Sequence, residues 1–261
     1  MKERIPALQR EPDVPKRRIG KWLLVLILLI VIILVVLFFR SSLSRVTEIQ
    51  VTGNVHATRE QVLDVLGIVP GDSFFVPGDK KLAQNVVSLA AVKEARVVKK
   101  FPGLVEVRVT EYREVAAEIG ADGVIRVVLE NGLSLPVDDG IMPDKPVLTG
   151  WLQDDPIRLA LCATLAGLSD AMLADLSEIK PHPSATYPDR IKIFTRSRFE
   201  VITTVQKLPE KIPYIREIVE NREPGKITML EADTYLPFSA QITIEEAAKA
   251  DKHKDNGTTQ Q

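Results

Sequence analysis

The sequence predicts an α+β protein in which a single N-terminal membrane-spanning helix is followed by a β-α-α-β-β unit and then by a second, mixed, strand-rich unit. Three observations predict it. Residues 22–39 are an unbroken run of Leu, Ile, Val and Phe headed by Trp22. Residues 104–111 alternate cleanly, with Val105, Val107 and Val109 on one face and Glu106, Arg108 and Thr110 on the other, after two segments of helical period. The second half is punctuated by turn signals between short apolar runs, Asn131-Gly132 foremost among them.

The apolar run is long enough to cross a bilayer: roughly 18 residues at about 1.5 Å each reach about 27 Å. Lys2, Arg4, Arg10, Lys16, Arg17, Arg18 and Lys21 precede it, whereas Arg40, Arg45 and Arg59 are the early basic residues after it. This asymmetry places residues 1–21 in the cytoplasm as a basic tail with Pro6, Pro12 and Pro15, and the rest outside. The run exceeds the core of a signal peptide and ends in Phe38-Phe39-Arg40, so it is expected to stay as an anchor at residues 22–39.

After the anchor, Val46, Ile49 and Val51 mark a strand ending at Gly53-Asn54. Thr58 with Gln61 forms a capping box for a helix whose Val62, Leu63, Val65 and Leu66 share a face closed by Gly67. Pro70-Gly71-Asp72 turns the chain, Phe74-Phe75 lies in a loop, and Asp79 caps a second helix carrying Leu82, Val86 and Leu89. Val92, Ala95, Val97 and Val98 lead into a strand broken by Phe101-Pro102-Gly103, after which the alternating strand begins.

The second unit, residues 114–244, opens with strands near 116–119, 124–129 and 133–137, and has loops at Asp138-Asp139-Gly140 and Pro143-Asp144. Asp155-Pro156 starts a helix with Ile157, Leu161, Leu165 and Leu168 in one stripe and Cys162 as a small buried hydrophobe. Strands at 191–195 and 199–203 precede a helix near 211–220, where Pro213 is tolerated only in the first turn. The last strand is expected at 226–230 with an apolar group at 235–238, and residues 245–261 form a polar, disordered tail.

Composition excludes several classes. A net charge of −1 with 26% charged residues does not suit a nucleic-acid binder. One cysteine allows no internal disulfide, which fits a bacterial surface. His56, His182 and His253 stand at no metal-ligand spacing, Gly225-Lys226 lacks a phosphate-loop glycine, and Ser169 misses the G-x-S-x-G pattern. The paired acids Asp138-Asp139 and Asp154-Asp155 read as solvated turns. The reading is therefore no enzyme, no cofactor, no metal and no small-molecule substrate.

A family resemblance follows from the spaced pattern. Leu66-Gly67-Ile68 with Gly71 and Phe74, then Val92 to Val97, Phe101-Pro102 and the strand ending at Glu111 resemble a POTRA domain, which sets that unit at residues 45–113. Behind a single anchor, and over residues 22–240, the chain is similar to the FtsQ/DivIB family of bacterial cell-division proteins. Glu114 stands where a proline is common, and Gly103 replaces a polar turn residue. The single thiol and polar tail point to the Gram-positive branch, DivIB.

The resemblance implies a single-pass type II membrane scaffold of the divisome at the septum. It would bind FtsL and DivIC/FtsB, and through them bear on septal penicillin-binding proteins and peptidoglycan synthesis. It also implies that the membrane-proximal module serves recruitment, for which Phe74 and Phe75 are the candidate surface. The expected binding route is strand addition to an edge at 226–230 and 235–238, with Thr228, Leu230, Glu231, Tyr235, Leu236 and Phe238 as candidate contacts. The competing readings are a POTRA-type chaperone or transport module and an anchored cell-wall-binding protein.

Overall fold

The computed structural model describes residues 19–137 and 142–240 of the chain. The expectations for the N-terminal tail up to residue 18, for Asp138-Asp139-Gly140 and for the tail from residue 245 lie outside the described residues. The first element is helix α1, Ile19–Arg40, and it is the one helix among the described residues long and apolar enough to cross a membrane. It passes through a single 3-10 turn, Ser42–Ser44, straight into the first folded unit.

That unit has the expected order: strand β1 (Glu48–Thr52), helices α2 (Arg59–Leu66) and α3 (Asp79–Val87), and strands β2 (Val92–Lys100) and β3 (Leu104–Glu111). Its sheet runs β1-β3-β2, with β1 parallel to β3 and β2 antiparallel to it. Val105, Val107 and Val109 turn toward both helices and pack with Ile49, Val62, Leu66, Leu82 and Val86. Local chemistry accounts for the helix ends. Thr58 Oγ1 accepts from the Gln61 amide at 3.2 Å while Gln61 returns a bond to the Thr58 amide at 2.9 Å, and Gly67 closes α2 at φ +72. Asp79 is not the cap of α3 as expected; Gly78 holds that position, and Asp79 sits in the first turn, where its charge favours the helix N-terminus.

Among the described residues the second unit is one nine-stranded sheet, ordered β12-β11-β10-β9-β8-β7-β4-β5-β6. Its strands are β4 (Glu114–Ile119), β5 (Ile125–Leu129), β6 (Ser134–Pro136), β7 (Val147–Leu148), β8 (Leu176–Pro181), β9 (Arg190–Thr195), β10 (Glu200–Thr204), β11 (Gly225–Met229) and β12 (Asp233–Pro237). Helices α4 (Pro156–Ala166), α5 (Asp170–Asp175) and α6 (Leu208–Asn221) cover one face. Between helices and sheet, Leu161, Cys162, Leu165, Leu173, Leu208 and Ile212 meet Ile179, Ile191, Ile193, Val201 and Ile227. Burial pushes the Cys162 thiol up to about 11, as befits an inert core group.

Strands β7 and β8 and helix α5 were not foreseen; Ser169 is the N-cap of α5, its hydroxyl accepting from the Met172 amide. Helix α6 begins at Leu208, a turn earlier than predicted, because Leu208 is fully buried in the core. Pro213 therefore lies inside the helix rather than in its first turn. Finally, Arg158 on α4 is fully buried. It donates to Gly132 O at 2.9 Å, to Ser134 Oγ at 2.9 Å and to Glu118 Oε2 at 3.0 Å, tying α4 to strands β4 and β6.

The two units are packed end to end. Ala91 and Tyr112 of the first unit pack with Leu129, Leu133 and Leu135 of the second. Around that contact Lys93 pairs with Glu130 at 2.9 Å and Asn131 Nδ2 donates to Ala90 O at 2.9 Å. Arg113 reaches Asp170 at 2.7 Å, and Lys145 meets the same carboxylate at 2.8 Å. These two cations hold the Asp170 carboxyl down at about 2.

Candidate functional site

The last three strands form the site that sequence reasoning singled out, and the pairing assigns the edge to a different strand. Strand β11 is parallel to β10 on one side and antiparallel to β12 on the other. Thr228 lies opposite both Ile202 and Thr234, so β11 is an interior strand and Thr228 is no edge contact. Of the edge expected at 226–230 and 235–238, the first part is corrected: among the described residues it is β12, which contains Tyr235 and Leu236, that ends the sheet. The physical cause is the turn at Leu230, Glu231 and Ala232, which folds Asp233–Pro237 back along the outside of β11.

The polarity of that edge follows from the ladder. The Phe238 amide donates to Pro224 O at 3.2 Å. Alternate pairs in an antiparallel ladder exchange hydrogen bonds, so Leu236 with Lys226 and Thr234 with Thr228 are the bonded pairs. The backbone of Asp233, Tyr235 and Pro237 then points away from the sheet. Pro237, which has no N–H, occupies an outward position, where a proline removes no bond from the ladder. At the far end of the sheet Pro136 on β6 does the same: Leu129 and Val137 bond to Leu133 and Ile125, which leaves residue 136 facing out. The outward face of β12 thus offers two N–H groups and two carbonyls, at Asp233 and Tyr235, since the Pro237 carbonyl begins the helical turn at 238–240.

Side chains hold β12 in place. Tyr235 packs on the core under α6 and its hydroxyl donates to Glu223 O at 2.6 Å. Lys211 of α6 meets Asp233 Oδ2 at 2.9 Å, and this bond to the Asp233 carboxylate raises the pKa of Lys211. Lys207 bonds Leu230 O at 2.9 Å and Glu231 Oε1 at 2.7 Å, fixing the turn. Gly225 is required by the close approach of β12, because a Cβ there would stand 2.5 Å from Leu236 O.

Of the predicted contacts, Leu236 is exposed on the open face of the sheet, Glu231 is exposed in the turn, and Tyr235, Leu230 and Phe238 are half-buried. Sequence reasoning missed Asp233, whose amide is one of the two outward donors. Its signal was its place two residues before Tyr235, on the same side of the strand. In the other candidate surface, Phe74 is buried and Phe75 is exposed. The Phe75 ring lies 6.1 Å from Phe38 and 5.8 Å from Phe39 at the end of α1. Among the described residues no group of three or more His, Cys, Asp or Glu side chains could hold a metal ion.

Comparison with known proteins identifies the first unit and the family. Residues 44–112 match the profile described as POTRA domain, FtsQ-type. The chain is 44% identical over 248 residues to the cell division protein DivIB of Paenibacillus polymyxa (strain E681), covering 95% of this chain and 97% of that protein. It is 31% identical over 248 residues to the cell division protein DivIB of Brevibacillus brevis, covering 93% of each. Among solved structures, the major extracytoplasmic domain of the trans isomer of DivIB from Geobacillus stearothermophilus is 28% identical, with a TM-score of 0.36 over 42% of this chain and 92% of that one.

Proposed function

We propose, from the premise that this chain belongs to the DivIB family of cell-division proteins, that it works as a non-catalytic scaffold of the divisome. In this reading α1 anchors it as a single-pass type II protein at the division septum, with the N-terminus in the cytoplasm. The two units outside bind the small coiled-coil division proteins FtsL and DivIC/FtsB and so bear on septal peptidoglycan synthesis. The observation that carries the reading is the outward backbone of β12. Its N–H and C=O groups, unpaired among the described residues, suit an extended partner segment, which would add a further strand while its side chains meet Leu236 on one face and the Glu231 turn on the other.

The test is capture of FtsL and DivIC/FtsB homologues by the full chain in detergent, with Asp233→Pro and Asp233→Ala compared. Proline at the first position of β12 removes an outward donor and leaves the β11 ladder intact. Alanine removes only the ion pair with Lys211, a surface contact worth about 0–1 kcal/mol. Capture lost with proline and kept with alanine, at unchanged circular dichroism, supports strand addition at β12. Equal capture by all three proteins would keep the scaffold and discard the edge. Absence of capture even by the parent would discard the scaffold.

A further inference from the structure

The topology of the first unit brings four segments to one end. Strand β1 leaves that end, α2 returns to it, the connection at residues 67–78 crosses it, and β2 comes back to it at the turn at residues 101–103. It is the end that α1 joins. The junction is hydrogen-bonded to the unit: Ser44 Oγ donates to Phe39 O at 2.8 Å, the Phe74 amide to Ser44 O at 2.9 Å, and the Gly71 amide to Val46 O at 2.8 Å. Arg45 Nη1 adds a bond to Gly71 O at 2.7 Å.

Large apolar side chains at this end are exposed among the described residues. Val76 is 69% exposed, Val69 60%, Phe101 58%, Leu43 50% and Phe75 45%. An aromatic path connects them to the anchor: Phe39 to Phe75 at 5.8 Å, Phe75 to Phe74 at 5.4 Å and Phe74 to Phe101 at 6.3 Å. Phe38 and Phe39 are the last apolar residues of α1, and Phe75 stands at their level. Arg40, Arg45, Lys80 and Lys81 are exposed around the rim, against Asp72 and Asp79 on the same end. The Asp72 carboxylate is engaged by the Val69 amide at 2.9 Å.

We propose that this rim of Leu43, Val69, Phe75, Val76 and Phe101 is seated in the phospholipid headgroup region of the outer leaflet, so that the first unit stands on the membrane rather than swinging from it. The inference rests on reading α1 as membrane-crossing. Exposed aromatic and aliphatic groups beside a helix exit gain by entering the interface, and a basic collar favours anionic headgroups. The seat has a mechanical consequence. The opposite end of the unit, with Ala91 and Tyr112, packs on the second sheet, so the bilayer would set the height and tilt at which β12 is displayed.

The experiment reconstitutes the full chain in phosphatidylglycerol-containing vesicles, with an environment-sensitive fluorophore at Val76→Cys or, as the reference, at Val55→Cys. Val55 is 78% exposed at the opposite end. Cys162 is buried with a raised pKa, so it stays unlabelled. Carbonate extraction reports separately whether α1 is inserted.

With α1 inserted, the expected result is lipid-borne bromine quenching several-fold stronger at 76 than at 55, and iodide quenching in the reverse order. A probe at 76 open to iodide and untouched by brominated lipid, in vesicles that resist carbonate, would overturn the seat while leaving the anchor intact. A probe shielded from both would assign the rim to a protein neighbour and overturn the lipid. Release of the chain by carbonate would overturn the membrane reading itself, and the seat with it.

Discussion

Arg158→Met is expected to cost the second unit more than any comparable change on its surface. The guanidinium is fully buried and makes hydrogen bonds of 2.9 Å to Gly132 O, 2.9 Å to Ser134 Oγ and 3.0 Å to Glu118 Oε2. Methionine fills much of the space but leaves Glu118, whose side chain is 13% exposed, without its cation. Removing one member of a buried pair costs about 3–5 kcal/mol, a large share of the roughly 5–15 kcal/mol that holds a domain together.

With a urea m-value of about 2 kcal/mol/M the midpoint should fall by about 1.5–2.5 M. Trp151 is the reporter, since its indole donates to Ile179 O at 3.0 Å and is lost to water on unfolding; a Trp22→Phe background removes the signal of the other tryptophan. The double variant Arg158→Met with Glu118→Leu should return to within about 1 kcal/mol of the parent, because no charge is then left buried. A single variant that loses less than about 1 kcal/mol, or a double variant as unstable as the sum of the singles, would refute the ion-pair account.

Three further outcomes follow from the geometry. Glu111 accepts the amides of Val55, His56 and Ala57 at 2.9, 2.8 and 2.9 Å, so Glu111→Ala should cost about 2–4 kcal/mol and speed hydrogen exchange at those three amides first. Gly225→Ala forces a Cβ against Leu236 O, so β12 should detach: exchange at the Thr234 and Leu236 amides accelerates, and capture of partners is lost while the first unit stays folded. Asp170 is held at about 2, mainly by Lys145 and then by Arg113, against an ordinary value of 3.8. A lowered carboxyl stabilises the fold above its unfolded value, and that share is lost as pH falls toward 2. The melting temperatures of the parent and of Asp170→Asn should therefore differ by a constant amount above about pH 5 and converge as pH falls from 4 to 2.

Much of the architecture was legible along the chain because its causes are local. Thr58 and Gln61 are three residues apart and bond each other; Val105, Val107 and Val109 face one way by strand geometry alone; the Gly132 amide closes its own turn on Leu129 O at 2.8 Å, with Gly132 at φ +82. The elements that were missed have distant causes. Strand β7 is two residues long and exists because β4 and β8 flank it in parallel, and β8 carries no pattern that separates it from a loop until Ile179 meets Ile193. Arg158 interrupts an apolar stripe, and a single sequence contains nothing to say that Glu118, forty residues earlier, will be there to receive it.

The candidate site divides in the same way. Residues 226–230 and 235–238 both read as apolar segments at the end of the chain, and local patterning determines that both are extended. Which of them is the edge depends on β10 taking its place beside β11 across the whole of α6, a pairing set by the packing of Leu208, Ile212 and Ile215 on the sheet. The same holds for Phe74 and Phe75. Adjacent residues in a loop point apart, but only the docking of α2 and α3 decides that Phe74 turns into the core and Phe75 out toward the end of α1. The sequence alone determined the N-terminal apolar helix, the order of elements in the first unit and the family, since these are written in periodicity and short-range spacing. The free edge, the buried ion pair and the apolar rim were decided by tertiary structure, because each is a relation between segments that meet only when the core closes.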